Sequence, residues 1–318
     1  ILALGVHAWF SLVGWENRNL PGVEFRQAQT AISAYFIQEE ANFSLAYPTP
    51  VLGKPWSIPM EFPLYQWATV ATSNLTGTPL TQSARGVSLA CFYLTLPAVG
   101  FFLKRLGLNR AQSWLVLASI LTCPLYIFYS RAFLIETMAL MFSAWFAMGF
   151  VETMRRRYWG WLGLTSLCGA AAGAVKVTTL MVFILPCAAW SVYLIFQSAR
   201  IRQWAELSLR LRWGLATVLL PGLATIGWVR FADGVKANHI QAAVLTSESM
   251  TQFNFGYGLF DVRFAPETWR AIGEILHTGI IAIPTAAVAV IAIAAVGGRW
   301  RPAALTSVGL FLAAPVIF

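Results

Sequence analysis

Apolar residues along this chain gather into runs of about 20, the length an α-helix needs to cross a hydrocarbon core. The runs fall at roughly 1–14, 87–103, 112–130, 132–151, 158–175, 177–197, 214–231, 276–297 and 303–318. They predict about nine membrane spans, with both ends of the sequence reading as truncated. Two long stretches interrupt the series, at about 15–86 and 232–275. In the first, residues 24–38 carry the period of an amphipathic helix lying in the membrane interface, and residues 62–75 carry a second. Between them "YPTPVLGKPWSIP" contains Pro48, Pro50, Pro55 and Pro59, which exclude a regular helix and predict a rigid, turn-rich loop. Residues 198–213 predict a basic amphipathic helix on the membrane surface. No internal repeat of the transporter kind is visible. The fold class is an all-α polytopic membrane protein, one transmembrane domain over residues 1–318.

Composition agrees, since 58% hydrophobic and 11% charged residues leave too little polar surface to enclose a soluble globule of 318 residues. The net charge of +9 does not point to nucleic acid, because the bases fall in short clusters between apolar runs. One alternate set of connections holds twelve bases, among them Lys104, Arg105, Arg155, Arg156, Arg157, Arg200 and Arg210, against the two acids Glu152 and Glu206. The other set holds the remaining ten bases and eleven acids. The first set is therefore expected in the cytoplasm and the two long stretches outside. Cys91, Cys123, Cys168 and Cys187 lie in apolar runs without metal-ligand spacing and read as buried thiols.

Candidate chemistry collects in the outer set. Glu24 and Glu61 each flank a predicted interfacial helix, where two carboxylates could supply a general base and an orienting group. The plainer reading is an acid favoured by a helix start. Arg26 shares the first turn with Glu24. Arg131 and Glu136 occur in "YSRAFLIETMA", and Lys176 in "GAVKVTT", at short outer connections. Cations there suit a phosphate, with snorkelling from a helix end as the plain alternative.

The combination "EFRQAQTA", "KPWSIPMEFPLYQW", "YSRAFLIET" and "GAVKVTT" resembles bacterial members of the dolichyl-phosphate-mannose protein mannosyltransferase superfamily, integral-membrane GT-C glycosyltransferases. It is also similar, more distantly, to the aminoarabinose transferase that modifies lipid A. The resemblance runs from about residue 15 to residue 265 and implies a GT-C-like bundle with interfacial helices in the first outer loop. It implies that an acid at the start of an interfacial helix activates the acceptor, and Glu24 occupies that place. The better-known members have an Asp-Glu pair, where this chain has Val23 before Glu24, so the choice between Glu24 and Glu61 as base stays open. The lipid A enzyme follows its loop acid with Lys-Pro-Pro, where this chain has Phe62 and Pro63. A phosphate contact is then expected from Lys54, Arg131 or Lys176.

The function expected is inverting transfer of a hexosyl or pentosyl group from a polyprenyl-phosphate donor to a lipid, glycan or protein acceptor, on the outer face of a bacterial inner membrane. The partners expected are the lipid-linked sugar and membrane lipids, with no nucleic acid; the oligomeric state is left open. His7, His239 and His277 lack metal-ligand spacing, so no catalytic metal is expected, although a divalent cation bridging acid and phosphate stays open. A flippase of lipid-linked sugars and a non-catalytic envelope-assembly subunit are the rival functions.

Overall fold

The structure, a computed structural model, describes residues 1–17, 20–21, 23–253 and 259–275. All regular elements among these residues are helical. A short apolar helix α1 (Leu2–Leu12) leads to α2 (Glu24–Glu39), and a proline-rich loop joins α2 to α3 (Leu64–Thr76). The expected interfacial helices are thus present with nearly the expected bounds. Then come α4 (Leu80–Arg105), α5 (Arg110–Thr122), α6 (Pro124–Ser130), α7 (Glu136–Arg156), α8 (Trp159–Arg200) and α9 (Trp204–Ala237). A 3₁₀ turn (Ala242–Leu245) and the short helices α10 (Ser247–Gln252), α11 (Phe260–Phe264) and α12 (Pro266–Ile275) follow.

Among the described residues four helices, α4, α7, α8 and α9, are long and apolar enough to cross a membrane, and α5 with α6 would make a fifth span bent by 64°. Pro124, at the first position of α6, supplies the bend, because its ring fits the start of a helix and not its interior. The 42 residues of α8 would extend about 63 Å if straight, twice a hydrocarbon core. They do not run straight: Lys176 has φ −159° and ψ 93°, an extended residue inside the helix. The β-branched Val175, Val177, Thr178 and Thr179 around it weaken the local helix. On α7, Gly149 faces Thr165 from the first half of α8, while the Phe150 ring lies 6.2 Å from Trp190 of the second half. Residues 165 and 190 therefore flank one level of α7, and α8 is a hairpin of two antiparallel spans turning at Lys176. The separate runs expected at 158–175 and 177–197 are these halves. The runs expected at 276–297 and 303–318 lie outside the described residues.

The helix α7 is the centre, with Met138, Ala139, Phe146, Met148 and Phe150 all buried against α4, α8 and α9. Gly169 and Gly173 let α9 pass close to α8; a Cβ on Gly173 would lie 2.1 Å from Thr225 Oγ1. Outward, α8 and α9 show Val192, Phe196, Leu215, Leu219 and Leu223, the inside-out surface a lipid solvent favours. The α1 helix is held through His7, which is buried, stacks on Phe92 at 4.6 Å and lies 3.0 Å from Tyr93 Oη and 3.2 Å from Ser130 Oγ.

One expectation needs correction. Residues 198–213 are not a separate surface helix: α8 ends at Arg200, and α9 starts at Trp204 and runs on as a span. The chain must reverse between two antiparallel spans, and Arg202, with φ 54°, makes the turn. Glu206 pairs there with Arg157 and, at 2.8 Å, with Arg210. Nearby the fully buried Glu152 forms ion pairs with Arg105 at 2.6 Å and Arg156 at 2.7 Å. The basic clusters among the described residues thus share one end of the bundle; α2, α3, the Lys176 turn and residues 238–252 occupy the other, the loop end.

This two-ended arrangement predicts the labelling of engineered cysteines by a membrane-impermeant thiol reagent on intact cells. Asn74→Cys and Glu248→Cys should react alike, and Arg155→Cys should react only after permeabilisation, because basic clusters favour the cytoplasm. Labelling of all three from the same side would contradict the arrangement.

Candidate functional site

The loop end is assembled from the end of α1 outward. The last carbonyls of a helix have no intrahelical partner, and burying them unpaired is costly. Arg131 donates Nη1 to Phe10 O at 2.8 Å and to Val13 O, and Arg85, 1% exposed on α4, donates to Gly14 O, to Trp15 O at 2.7 Å and to Asn17 O at 2.6 Å. Two arginines therefore gather five carbonyls of the chain leaving α1. The apolar run at 87–103 leaves Arg85 at the end of the outer stretch; the structure carries it inside α4, a rare and informative place for a cation.

The chain then enters α2 under a second polar clamp. The Gln27 side chain, fully buried, donates to Leu20 O at 2.7 Å and accepts from Leu20 N at 3.2 Å. The inward face of α2 is largely polar (Gln27, Thr30, Ser33), whereas Phe25 and Tyr35 point outward. In an interfacial setting that is the favourable orientation: the outer rings meet lipid and the inner polar groups bind neighbouring loops. Ser33 Oγ lies 3.3 Å from Thr49 Oγ1, and Gln38 Nε2 donates to Asn74 Oδ1 at 2.8 Å, tying α2 to the proline-rich loop and to α3.

On this frame sit the charged side chains. Glu24 is exposed in the first turn of α2. Arg26 donates Nη1 to Gln29 at 2.9 Å and Nη2 to Glu61 Oε1 at 2.7 Å. Glu61 is itself positioned by the buried Tyr47, whose hydroxyl donates to Glu61 O at 3.0 Å and accepts from Met60 N at 3.2 Å. Burial, and then the Glu61 charge, push the Tyr47 phenol far above its usual range, so it stays a protonated donor. One residue on, Phe62 N donates to Ala174 O at 3.1 Å, a carbonyl just before the non-helical Lys176. Lys176 Nζ meets Glu136 Oε1 at 2.9 Å, in the first turn of α7, where the helix dipole favours an acid.

The structure thus brings Arg26, Glu61, Lys176 and Glu136 into one neighbourhood as two ion pairs, with Glu24 on the same helical turn as Arg26. Lys54 is exposed in the proline-rich loop. Arg131 stands apart, its Nη1 committed to the end of α1. The resemblance to other proteins gave no hint of Arg85, Gln27, Tyr47 or His239, and neither did motif spacing, because their roles are contacts to distant backbone. All four cysteines are free and buried.

Replacing Arg131 by Ala should therefore act through stability. Loss of a charge-assisted hydrogen bond costs about 1.5–3 kcal/mol, at the lower end for carbonyls as exposed as those of Phe10 and Val13, which thermal unfolding in detergent would register. Arg131→Lys should recover only part, having no planar fork to reach two carbonyls at once.

No curated protein matches the chain. The family model described as dolichyl-phosphate-mannose-protein mannosyltransferase matches residues 29–239, about two thirds of the sequence. Lys54, Glu61, Arg131, Glu136, Lys176 and His239 lie within the match, and Glu24 and Arg26 lie just before it. With its all-helical membrane bundle, the chain belongs to the dolichyl-phosphate-mannose-protein mannosyltransferase family of GT-C membrane glycosyltransferases.

Proposed function

We propose that the chain transfers a sugar from a polyprenyl-phosphate donor to a hydroxyl or amine acceptor, with inversion, at the outer face of a bacterial inner membrane. The observation that carries this reading is the gathering of Glu24, the Arg26–Glu61 pair and the Lys176–Glu136 pair at the loop end, opposite the basic clusters. A lipid phosphate keeps its head at the membrane surface, where an acid and cations on interfacial elements can meet it.

The step balances as a single displacement. Glu24 takes the proton of the acceptor while the acceptor atom bonds to the sugar's anomeric carbon. The bond from that carbon to the phosphate oxygen breaks, and its electron pair leaves with the lipid phosphate. Arg26 and Lys176 stabilise the charge that grows on the phosphate, an effect strengthened where water is scarce. Before the donor arrives each cation is balanced by its carboxylate partner, so each pair carries little net charge. The phosphate therefore shares each cation with Glu61 or Glu136, or displaces the carboxylate. No nucleotide or redox group enters the balance.

Two measurements on purified protein in detergent test this. Wild-type protein should transfer sugar from one member of a panel of polyprenyl-phosphate mannose, glucose and arabinose without a sealed membrane, which a flippase would not do. Glu24→Gln should fold normally and lose about 10²- to 10⁴-fold in turnover, the usual contribution of a general base. Near-normal turnover of Glu24→Gln would move the base to Glu61.

Lys176→Met should raise the donor dissociation constant by about tenfold or more, as expected for one charged hydrogen bond to phosphate. Unchanged affinity in Lys176→Met would leave Lys176 as a tie between α7 and α8 only.

A further inference from the structure

His239 lies at the end of α9, 2% exposed and far in sequence from the proline-rich loop. Its Nδ1 lies 3.2 Å from Gln241 N and 3.1 Å from Ala242 N, both of which can only donate. Nδ1 is therefore an acceptor, the proton of the neutral ring is on Nε2, and Nε2 donates to Gly53 O at 2.9 Å across 186 residues. The ring does two separable things: Nδ1 caps the 3₁₀ turn, and Nε2 holds the loop immediately before Lys54. The rest of that loop is fastened at its base, by Thr49 N to Trp56 O at 2.6 Å, Ser33 to Thr49 and Tyr47 to Glu61. Gly53, with φ +93°, adopts a conformation that leaves its carbonyl to the imidazole at little cost. The segment between the two halves of the loop end has its own clamp, since buried Lys236 donates to Leu245 O at 2.8 Å and Asp233 accepts from Ser247 N at 3.1 Å. His239 thus sits on a rigid base and reaches out to the loop.

We infer that His239 is a positioning residue for the reaction: through Gly53 O it holds the loop so that the exposed Lys54 ammonium meets the phosphate of the polyprenyl donor. This inference rests on the donor reading above. It assigns a role to the second long outer segment, which is to present the first.

Substitution can separate the two nitrogens. Asparagine reaches about as far as Nδ1 and keeps the cap; glutamine reaches about as far as Nε2 and keeps a donor for Gly53 O. The experiment measures, on the purified full chain, amide hydrogen exchange over residues 49–56 and the donor KM with whichever member of the polyprenyl-phosphate sugar panel wild type turns over. His239→Asn should speed exchange in the loop and raise donor KM about tenfold with kcat little changed, while His239→Gln should stay close to wild type. Lys54→Ala should raise donor KM to a similar degree, and adding His239→Asn to it should change KM no further, because both act on one contact. A merely structural cap predicts the reverse order, with the Gln variant worse than the Asn variant. That order, or faster loop exchange without any change in KM, or independent multiplication of the Lys54 and His239 effects, would overturn the inference. If wild type turns over no polyprenyl-phosphate sugar, the donor reading falls and takes the inference with it. If wild type turns over and the Asn variant matches it, this inference alone falls.

Discussion

Everything at the loop end depends on how the polypeptide leaves α1. A helix that stops at the edge of a low-dielectric region presents carbonyls that water cannot fully serve, and here five of them, from Phe10 to Asn17, are taken by Arg85 and Arg131. The arrangement also resolves the opposite difficulty, the cost of a guanidinium that is 1% exposed, because carbonyl dipoles surround it. Each group makes the burial of the other tolerable. The first long loop consequently starts from a fixed point, and the Gln27 clamp on Leu20 carries that fix into α2.

The same logic runs through the rest of the loop end. Residues 41–63 make few regular hydrogen bonds of their own, yet groups from the loop itself, from the segment after α9 and from α8 serve their backbone: the Tyr47 hydroxyl at Met60 and Glu61, the His239 ring at Gly53, and the Ala174 carbonyl at Phe62 N. Prolines at 48, 50, 55 and 59 reduce the freedom that must be lost to hold such a path. A loop stiff in this way can keep Glu61 beside Arg26 and keep Lys54 at a defined place, which a flexible linker of equal length could not.

Partly exposed ion pairs occur at both ends, with Glu206 between Arg157 and Arg210 at the basic end, and the basic end also holds a fully buried acid. At the basic end Glu152 is fully buried between Arg105 and Arg156, and joins the ends of α4 and α7. At the loop end the Arg26–Glu61 and Lys176–Glu136 pairs stay partly exposed, with side-chain exposures of 39% and 15%, then 31% and 22%. Partly solvated pairs contribute little to stability and can exchange partners. The proposed reaction asks this of the loop-end pairs, whose cations would receive an anionic headgroup and release it.

Spans, interfacial helices and two-sided charge were legible in the sequence, because each is a local consequence of bilayer thickness, helix period and the distribution of Lys and Arg. The break at Lys176 was legible too, since a 42-residue apolar stretch exceeds one crossing. The surface helix at 198–213 was misread, because an amphipathic pattern at the end of one span and the start of the next looks the same as a helix lying flat. The sequence also presented Glu24, Arg26, Glu61, Glu136 and Lys176 as candidates by residue type and by place relative to the spans. Only the tertiary structure decided that Arg131 serves α1, that Glu61 faces Arg26, that Glu136 faces Lys176, and that His239 holds Gly53. Those pairings join residues 35 to 186 positions apart in ways that depend on how helices pack and turn, and no period or motif within a single segment carries that information.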